Sequence, residues 1–229
     1  MMRRHMRRCY AILAFVLLFV GTADTRSRRN TSSGQATSAP GQFDYYVLSL
    51  SWSPQYCANQ TNASRDQEQC GSGRRYAFVT HGLWPNNNRP PHPRECAPRS
   101  TVPSDLTAQM LSIMPSPALI QHEWNSHGTC SGLNQGDYFA AIRAAYRVVK
   151  IPEPYRQPET DLRVSADEIR RNFQSANTQF PRDSVRLDCS GQYLRELRLC
   201  LDKNLRPQPC VSAVQDSCGS RTVTLRRVR

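Results

Sequence analysis

Eight cysteines spread along the chain after residue 56 are the feature that most limits its fold. The chain has 229 residues and nine cysteines, of which Cys9 lies near the start. The other eight are Cys57, Cys70, Cys96, Cys130, Cys189, Cys200, Cys210 and Cys218. An even number of cysteines in an exported chain predicts disulfide bonds, here four, although their spacing leaves the pairing open. No Cys-x-x-Cys pair occurs, so the spacing does not favour a zinc site.

Residues 1–23 have the order of charged and apolar residues that is typical of a secretory signal peptide. Four arginines within residues 3–8 precede an apolar run at 10–20, and small residues follow at 21–23. The mature protein is therefore predicted to be secreted or periplasmic, with no membrane attachment. Residues 24–41 are mostly small and polar and are predicted to form a disordered lead-in. Residues 42–229 are long enough for one domain.

The charge of the chain favours a polyanionic partner. The formal net charge is +12, and removal of residues 1–23 takes away four arginines and no acid, which leaves +8. Basic secreted proteins bind nucleic acids or acidic glycans, although a solvated, arginine-rich surface explains the same charge equally well.

Local patterns predict both strands and helices. Runs of aromatic and branched residues predict strands, and capping residues before apolar residues at helical spacing predict helices. The predicted strands are 45–52, 76–80 (with His81 at its end), 185–189, 193–201 and 222–225; the predicted helices are 104–114, 117–126, 137–150 and 165–176. Residues 57–73 are predicted to be a disulfide-closed loop with glycosylation sequons at Asn59 and Asn62. The mixture indicates an α+β single domain.

Two short segments hold most of the residues capable of acid–base chemistry. Residues 81–85 read His-Gly-Leu-Trp-Pro, and residues 122–130 read His-Glu-Trp-Asn-Ser-His-Gly-Thr-Cys. Zinc proteases carry HExxH, with two histidines on one helix face. Here the spacing is HExxxH, which on a regular helix separates His122 from His127 by about 140°. The sequence therefore argues against a metalloprotease.

Two histidines titrate near neutral pH and can act as a general base and a general acid. RNA cleavage needs such a pair, because one group removes the 2′-hydroxyl proton and the other protonates the departing 5′-oxygen. DNA lacks that hydroxyl, so a deoxyribonuclease is disfavoured. Glu123 is expected to stabilise the cationic form of His127 and raise its pKa. Structural roles remain as alternatives: a helix-end cation for His127, core packing for Trp84, and simple exposure for His92.

The two segments together resemble the active-site segments of the ribonuclease T2 family. Residues 51–57, Ser-Trp-Ser-Pro-Gln-Tyr-Cys, also resemble the family's first strand and its exit, and the last four cysteines resemble its C-terminal bridges. The resemblance covers about residues 42–226. It implies a central antiparallel sheet flanked by helices, in one domain crosslinked by disulfides.

The resemblance also implies roles for individual residues. His81 and His127 are the acid–base pair, with His127 as base and His81 as acid in the family, an order that the sequence itself leaves open. Glu123 stabilises the transition state, His122 binds phosphate, and Trp84 stacks on the base 5′ to the cut. No metal or other cofactor is implied. The implied disulfides are Cys57–Cys70, Cys96–Cys130, Cys189–Cys218 and Cys200–Cys210.

Two positions depart from the family pattern. Ser126 stands where lysine is usual, so a cation that steadies the phosphorane is missing, unless a nearby arginine replaces it. Asn86 stands where an acidic residue would favour adenine, which predicts weak base preference. The sequence thus predicts a monomeric endoribonuclease that cleaves single-stranded RNA through a 2′,3′-cyclic phosphate. The alternative is a catalytically weak or silent member that acts as a secreted RNA-binding protein.

Overall fold

The sheet is built around strand β1 (Tyr45–Trp52), whose aromatic and branched residues are nearly all buried. The structure is a computed structural model that describes residues 39–60, 66–71 and 73–229. The predicted signal peptide 1–23, most of the lead-in 24–41 and the sequon at Asn62 lie outside this part of the chain.

Six strands of the described residues form one sheet. β1 pairs antiparallel with β2 (Phe78–Asn86) on one side and with β5 (Tyr193–Leu201) on the other. β5 also pairs antiparallel with β4 (Val185–Ser190), and β3 (Leu162–Ser165) pairs antiparallel with β6 (Thr222–Leu225). β5 and β6 meet at one parallel pair, Tyr193 with Thr224. The sheet is therefore antiparallel except at this single contact.

Within the part of the chain that the structure describes, six α-helices accompany the sheet: α1 (Ser53–Ala58), α2 (Gln67–Cys70), α3 (Ser104–Met110), α4 (Pro117–Ser126), α5 (Gln135–Arg147) and α6 (Ala166–Ala176). Short 3-10 helices lie at Gly128–Cys130 and Glu153–Tyr155. The main core packs β1 side chains such as Leu48 and Trp52 against helix residues such as Phe139 and Phe173. This confirms the predicted α+β fold with a sheet flanked by helices. No described helix is both long and apolar enough to span a membrane.

Most predicted elements occur close to their expected bounds, and β2 is the main exception. The predicted strand ended before His81, but β2 continues to Asn86 and includes His81 and Pro85. Gly82 and Pro85 are residue types that usually interrupt a strand. Because β2 lies at the edge of the sheet, Pro85 does not cost a ladder hydrogen bond there. The short elements α1, α2 and β3 were not predicted, since four to six residues carry little periodic signal.

Four disulfides crosslink the described domain: Cys57–Cys70, Cys96–Cys130, Cys189–Cys218 and Cys200–Cys210. These are the four pairs implied by the family resemblance. Cys96–Cys130 joins the proline-rich loop that follows β2 to the 3-10 turn after α4. The two segments that carry the histidines are thereby covalently connected.

Candidate active site

A bulge in strand β2 places His81 in the site. Ser49 of β1 pairs with Gly82 and Leu50 pairs with Thr80, so His81 is an extra residue with no partner opposite it. A bulge of this kind redirects a side chain away from the regular alternation of a strand. Trp84 follows three residues later on the same strand, and its ring lies edge-on to His81 with the centroids 5.2 Å apart.

Helix α4 supplies the second group of site residues. Ser116 caps its first turn by accepting a hydrogen bond from the Leu119 amide at 3.3 Å, and Pro117 favours the start of the helix. Glu123 lies in the last turn, and His127 is the residue just beyond it, with non-helical backbone angles. His127 therefore ends the helix instead of continuing the face that carries Glu123.

Glu123 contacts β2, not His127. Its side chain is 1% exposed, and its Oε2 accepts a hydrogen bond from the Trp84 indole at 2.8 Å. Its Oε1 lies 3.6 Å from His81 Nε2 and has no hydrogen-bond partner within the described residues. Gly82 allows this approach, because a Cβ there would lie 1.9 Å from Oε2. Burial raises the pKa of Glu123 to about 7, against the opposing effect of His81.

His81 is held between two carboxyl groups. Its Nδ1 lies 2.6 Å from Glu196 Oε1 on β5, while its Nε2 faces Glu123. Burial on its own would lower the pKa of His81, but the bond to Glu196 and the charges of both acids raise it above the ordinary 6.5. The Glu196 carboxylate is in turn held by Arg198 at 2.8 Å, and its pKa falls to about 2 despite burial, because of His81 and Arg198. His81 is thus stabilised as a cation.

His127 has the opposite surroundings. Its ring lies 5.4 Å from the Trp84 ring at an angle of 33°, and its Nδ1 is buried with no hydrogen-bond partner in the described part of the chain. Burial, with the positive charge of Arg94, lowers the pKa of His127 to about 3. The expectation that Glu123 raises the pKa of His127 is therefore wrong, because Glu123 turns towards His81 and Trp84.

These residues border two cavities. The larger, about 520 Å³, is lined by His81, Trp84, Asn86, His92, Arg94, His122, Glu123, His127 and Arg198, among others. The smaller, about 390 Å³, shares His81, Trp84 and Arg198 and extends towards Gln55, Gln69 and Glu196. All five predicted site residues line the larger cavity. His92 does too, although the sequence suggested a simple exposed position. Within the described ranges, no three acidic, cysteine or histidine side chains are grouped as a metal site.

Comparison with known proteins assigns this chain to a family. The family model for the ribonuclease T2 family matches residues 43–210. The chain belongs to the ribonuclease T2 family. A probable ribonuclease from Haemophilus influenzae is 34% identical over 80% of this chain and 66% of its own length. A ribonuclease from Aeromonas hydrophila is 31% identical over 87% of this chain and 93% of its own length.

Solved structures agree with this assignment. The RNase-related protein from Calystegia sepium superposes with a TM-score of 0.64 at 26% identity, covering 82% of this chain and 98% of its own. The relatives named as ribonucleases and the family match identify the chain as an RNA endonuclease. Its substrate is accordingly RNA.

Ser126, which stands where the family pattern has a lysine, is buried, with 2% of its surface exposed. Its carbonyl accepts a hydrogen bond from the Glu95 amide at 2.9 Å, and the Cys96 amide bonds Thr129 Oγ1 at 3.2 Å. The segment that carries Arg94 is therefore fixed against the end of α4. Arg94 thus lines the larger cavity, on a segment that is bonded to the position where the lysine is missing.

Three charged residues of the site were not found from the sequence: Arg94, Glu196 and Arg198. Glu196 and Arg198 alternate with apolar residues on β5 and have the pattern of solvent-facing strand positions. Glu196 is also 115 residues from His81 in the chain, so only the β1–β5 pairing brings the two together.

Proposed function

We propose that the chain is an exported endoribonuclease that cleaves single-stranded RNA by metal-independent transesterification. The observation that carries this proposal is that two histidines lining one cavity have pKa values shifted in opposite directions. His81 lies between two carboxyl groups that favour its cation, whereas the half-buried His127 is kept a neutral imidazole. A proton donor and a proton acceptor are therefore available at the same pH.

His127 acts as the general base and takes the proton of the 2′-hydroxyl. The 2′-oxygen forms a bond to the adjacent phosphorus, and the bond from phosphorus to the 5′-oxygen breaks. His81 donates its Nε2 proton to that leaving oxygen, since its Nδ1 is engaged by Glu196. The products are a 2′,3′-cyclic phosphate and a 5′-hydroxyl. This order of roles agrees with the family order.

The other cavity residues stabilise charge and position the substrate. Glu123 stabilises the transition state from its buried position beside His81 and Trp84, where its carboxylate favours the His81 cation that donates the proton. Arg94 supplies the cation that Ser126 lacks, and His122 contributes to phosphate binding. Trp84 lines both cavities and offers its indole for base stacking. Asn86 leaves the base preference weak.

The signal peptide proposed at residues 1–23 would direct export and be cleaved near Ala23. The catalytic domain proposed at residues 42–229 acts as a monomer. Four disulfides suit the oxidising compartment that such export reaches. A silent RNA-binding role is favoured by one feature, the loss of the usual lysine at Ser126.

The test is cleavage of a defined single-stranded RNA by the mature protein in EDTA, with His127→Ala as the paired variant. We expect products that end in cyclic phosphate and that disappear in the variant. RNA binding without cleavage in the wild-type protein would establish the silent alternative, and activity lost in EDTA would contradict the metal-independent mechanism.

A further inference from the structure

A basic groove lies beside the Cys57–Cys70 disulfide, outside the site described above. Its volume is about 550 Å³, and four arginines line it: Arg74, Arg226, Arg227 and Arg229. Asp161 is the only acidic residue among its lining residues, and Asp161 Oδ1 already accepts the Arg227 amide at 2.8 Å. None of the four arginines forms a salt bridge with an acid in the described ranges. The groove therefore carries a net positive charge.

The groove adjoins the smaller cavity of the site. Gln69 lines both spaces. Gln55 lines the smaller cavity, and its Oε1 accepts a hydrogen bond from Arg226 Nε at 2.7 Å. The Arg226 guanidinium also lies 4.1 Å from the centre of the Tyr193 ring. Arg226 is thus fixed at the boundary between the two spaces.

We propose that this groove binds the phosphates of RNA nucleotides beyond those that flank the cleaved bond. The proposal rests on the proposed function, because the same strand has to occupy the site and the groove. Guanidinium groups bind phosphates in pairs of hydrogen bonds, and a charged groove next to a catalytic cavity suits an extended polyanionic strand. Tyr76 lines the groove as well and offers an aromatic ring beside Arg74.

The test compares a dinucleotide with a single-stranded 12-mer, using the triple variant Arg74→Gln, Arg227→Gln, Arg229→Gln. Arg226 is left intact, since its carbonyl and guanidinium contact Trp52 and Gln55. Each contact to a single strand contributes roughly 0.7 to the salt slope, so the slope of log Kd against log salt for the 12-mer falls by about 2. At 0.1 M salt the 12-mer affinity falls by at least about tenfold, while dinucleotide cleavage stays within about twofold of wild type.

The matched control is Arg147→Gln, Arg171→Gln, Arg182→Gln, which removes the same charge from exposed positions that line neither cavity nor the groove. Equal losses of 12-mer affinity in the two triple variants would overturn the proposal, because net charge alone would then explain the effect. An unchanged salt slope in the groove variant would overturn it too.

Binding is measured in a His127→Ala background, so the groove is tested without any turnover. Cleavage of the dinucleotide by the wild-type protein tests the proposed function separately. Failure of cleavage with a changed salt slope would contradict the mechanism and leave the groove supported, whereas cleavage with an unchanged slope would do the reverse.

Discussion

The residues that face the two histidines of the site shift their pKa values in opposite directions, upwards for His81 and downwards for His127. His81 receives two carboxyl groups, from Glu123 and Glu196, with Arg198 opposing them weakly. Burial beside an indole ring lowers the pKa of His127, and the positive charge of Arg94 lowers it further. In the proposed mechanism, the roles of acid and base are therefore set by the neighbouring residues and not by the histidines themselves.

Glu196→Gln tests how His81 is kept protonated. The loss of a negative charge 2.6 Å from Nδ1 lowers the pKa of His81, so the acid form is lost at lower pH. In the proposed mechanism cleavage requires protonated His81, so activity is expected to fall as pH rises through that pKa. We expect the alkaline limb of the kcat/KM profile to move to lower pH, while the acid limb, set by the His127 pKa of about 3, stays in place.

The matched control is Asp183→Asn, which removes an acid from a loop that does not line the cavity. A Glu196→Gln profile that superposes on the wild-type profile after scaling would contradict this role for Glu196.

Arg94→Gln tests the replacement of the missing lysine. Loss of one charge-assisted contact to the phosphorane costs about 1–3 kcal/mol, or roughly 5- to 150-fold in kcat/KM. Adding Ser126→Lys to this variant restores part of the rate. Arg89→Gln, an exposed position in the same loop, serves as the control and retains full activity. Full activity in Arg94→Gln would show that the phosphorane is stabilised by other groups.

Strand β2 and helix α4 are the two elements that assemble the site, and each was predictable to a different degree. The helix 117–126 was predicted with its bounds, because Pro117 and Gly128 mark its two ends. The strand was predicted only up to Thr80, because nothing local in His-Gly-Leu-Trp-Pro indicates a strand. Its continuation depends on pairing with β1, and so does the bulge that directs His81.

The Cys96–Cys130 disulfide tests how much the connection between these elements matters. It closes a separation of 34 residues, so replacing both cysteines by alanine lowers the free energy of unfolding by about 4 kcal/mol. Cys189–Cys218 spans 29 residues and lines neither cavity, and its removal costs about the same.

Activity per folded molecule separates the two disulfide variants. We expect kcat/KM at low temperature to fall only when Cys96–Cys130 is removed, since that bridge holds Arg94 against the end of α4. Denaturant unfolding gives the stability of each variant, and initial rates give its activity. An equal loss of activity in both variants would contradict the positioning role.

At the scale of the whole molecule, the sequence predicted the fold class and the five site residues that line the larger cavity, because two short motifs carry them. It did not predict the electrostatics. Glu196 and Arg198 come from a strand far along the chain, and their partner His81 is reached only through the β1–β5 register. The expected interaction of Glu123 with His127 is absent for a similar reason. The Glu123 carboxyl instead accepts a hydrogen bond from Trp84 on β2.

The most direct test of the acid–base assignment uses a dinucleotide whose bridging 5′-oxygen is replaced by sulfur. A thiolate leaves without being protonated, so this substrate does not need a general acid. On the natural substrate, His81→Ala and His127→Ala each lose about 10²- to 10⁴-fold in rate. On the sulfur substrate, His81→Ala recovers to within about tenfold of wild type, whereas His127→Ala stays slow. Recovery of His127→Ala instead would reverse the two roles, and recovery of neither variant would contradict the two-histidine mechanism.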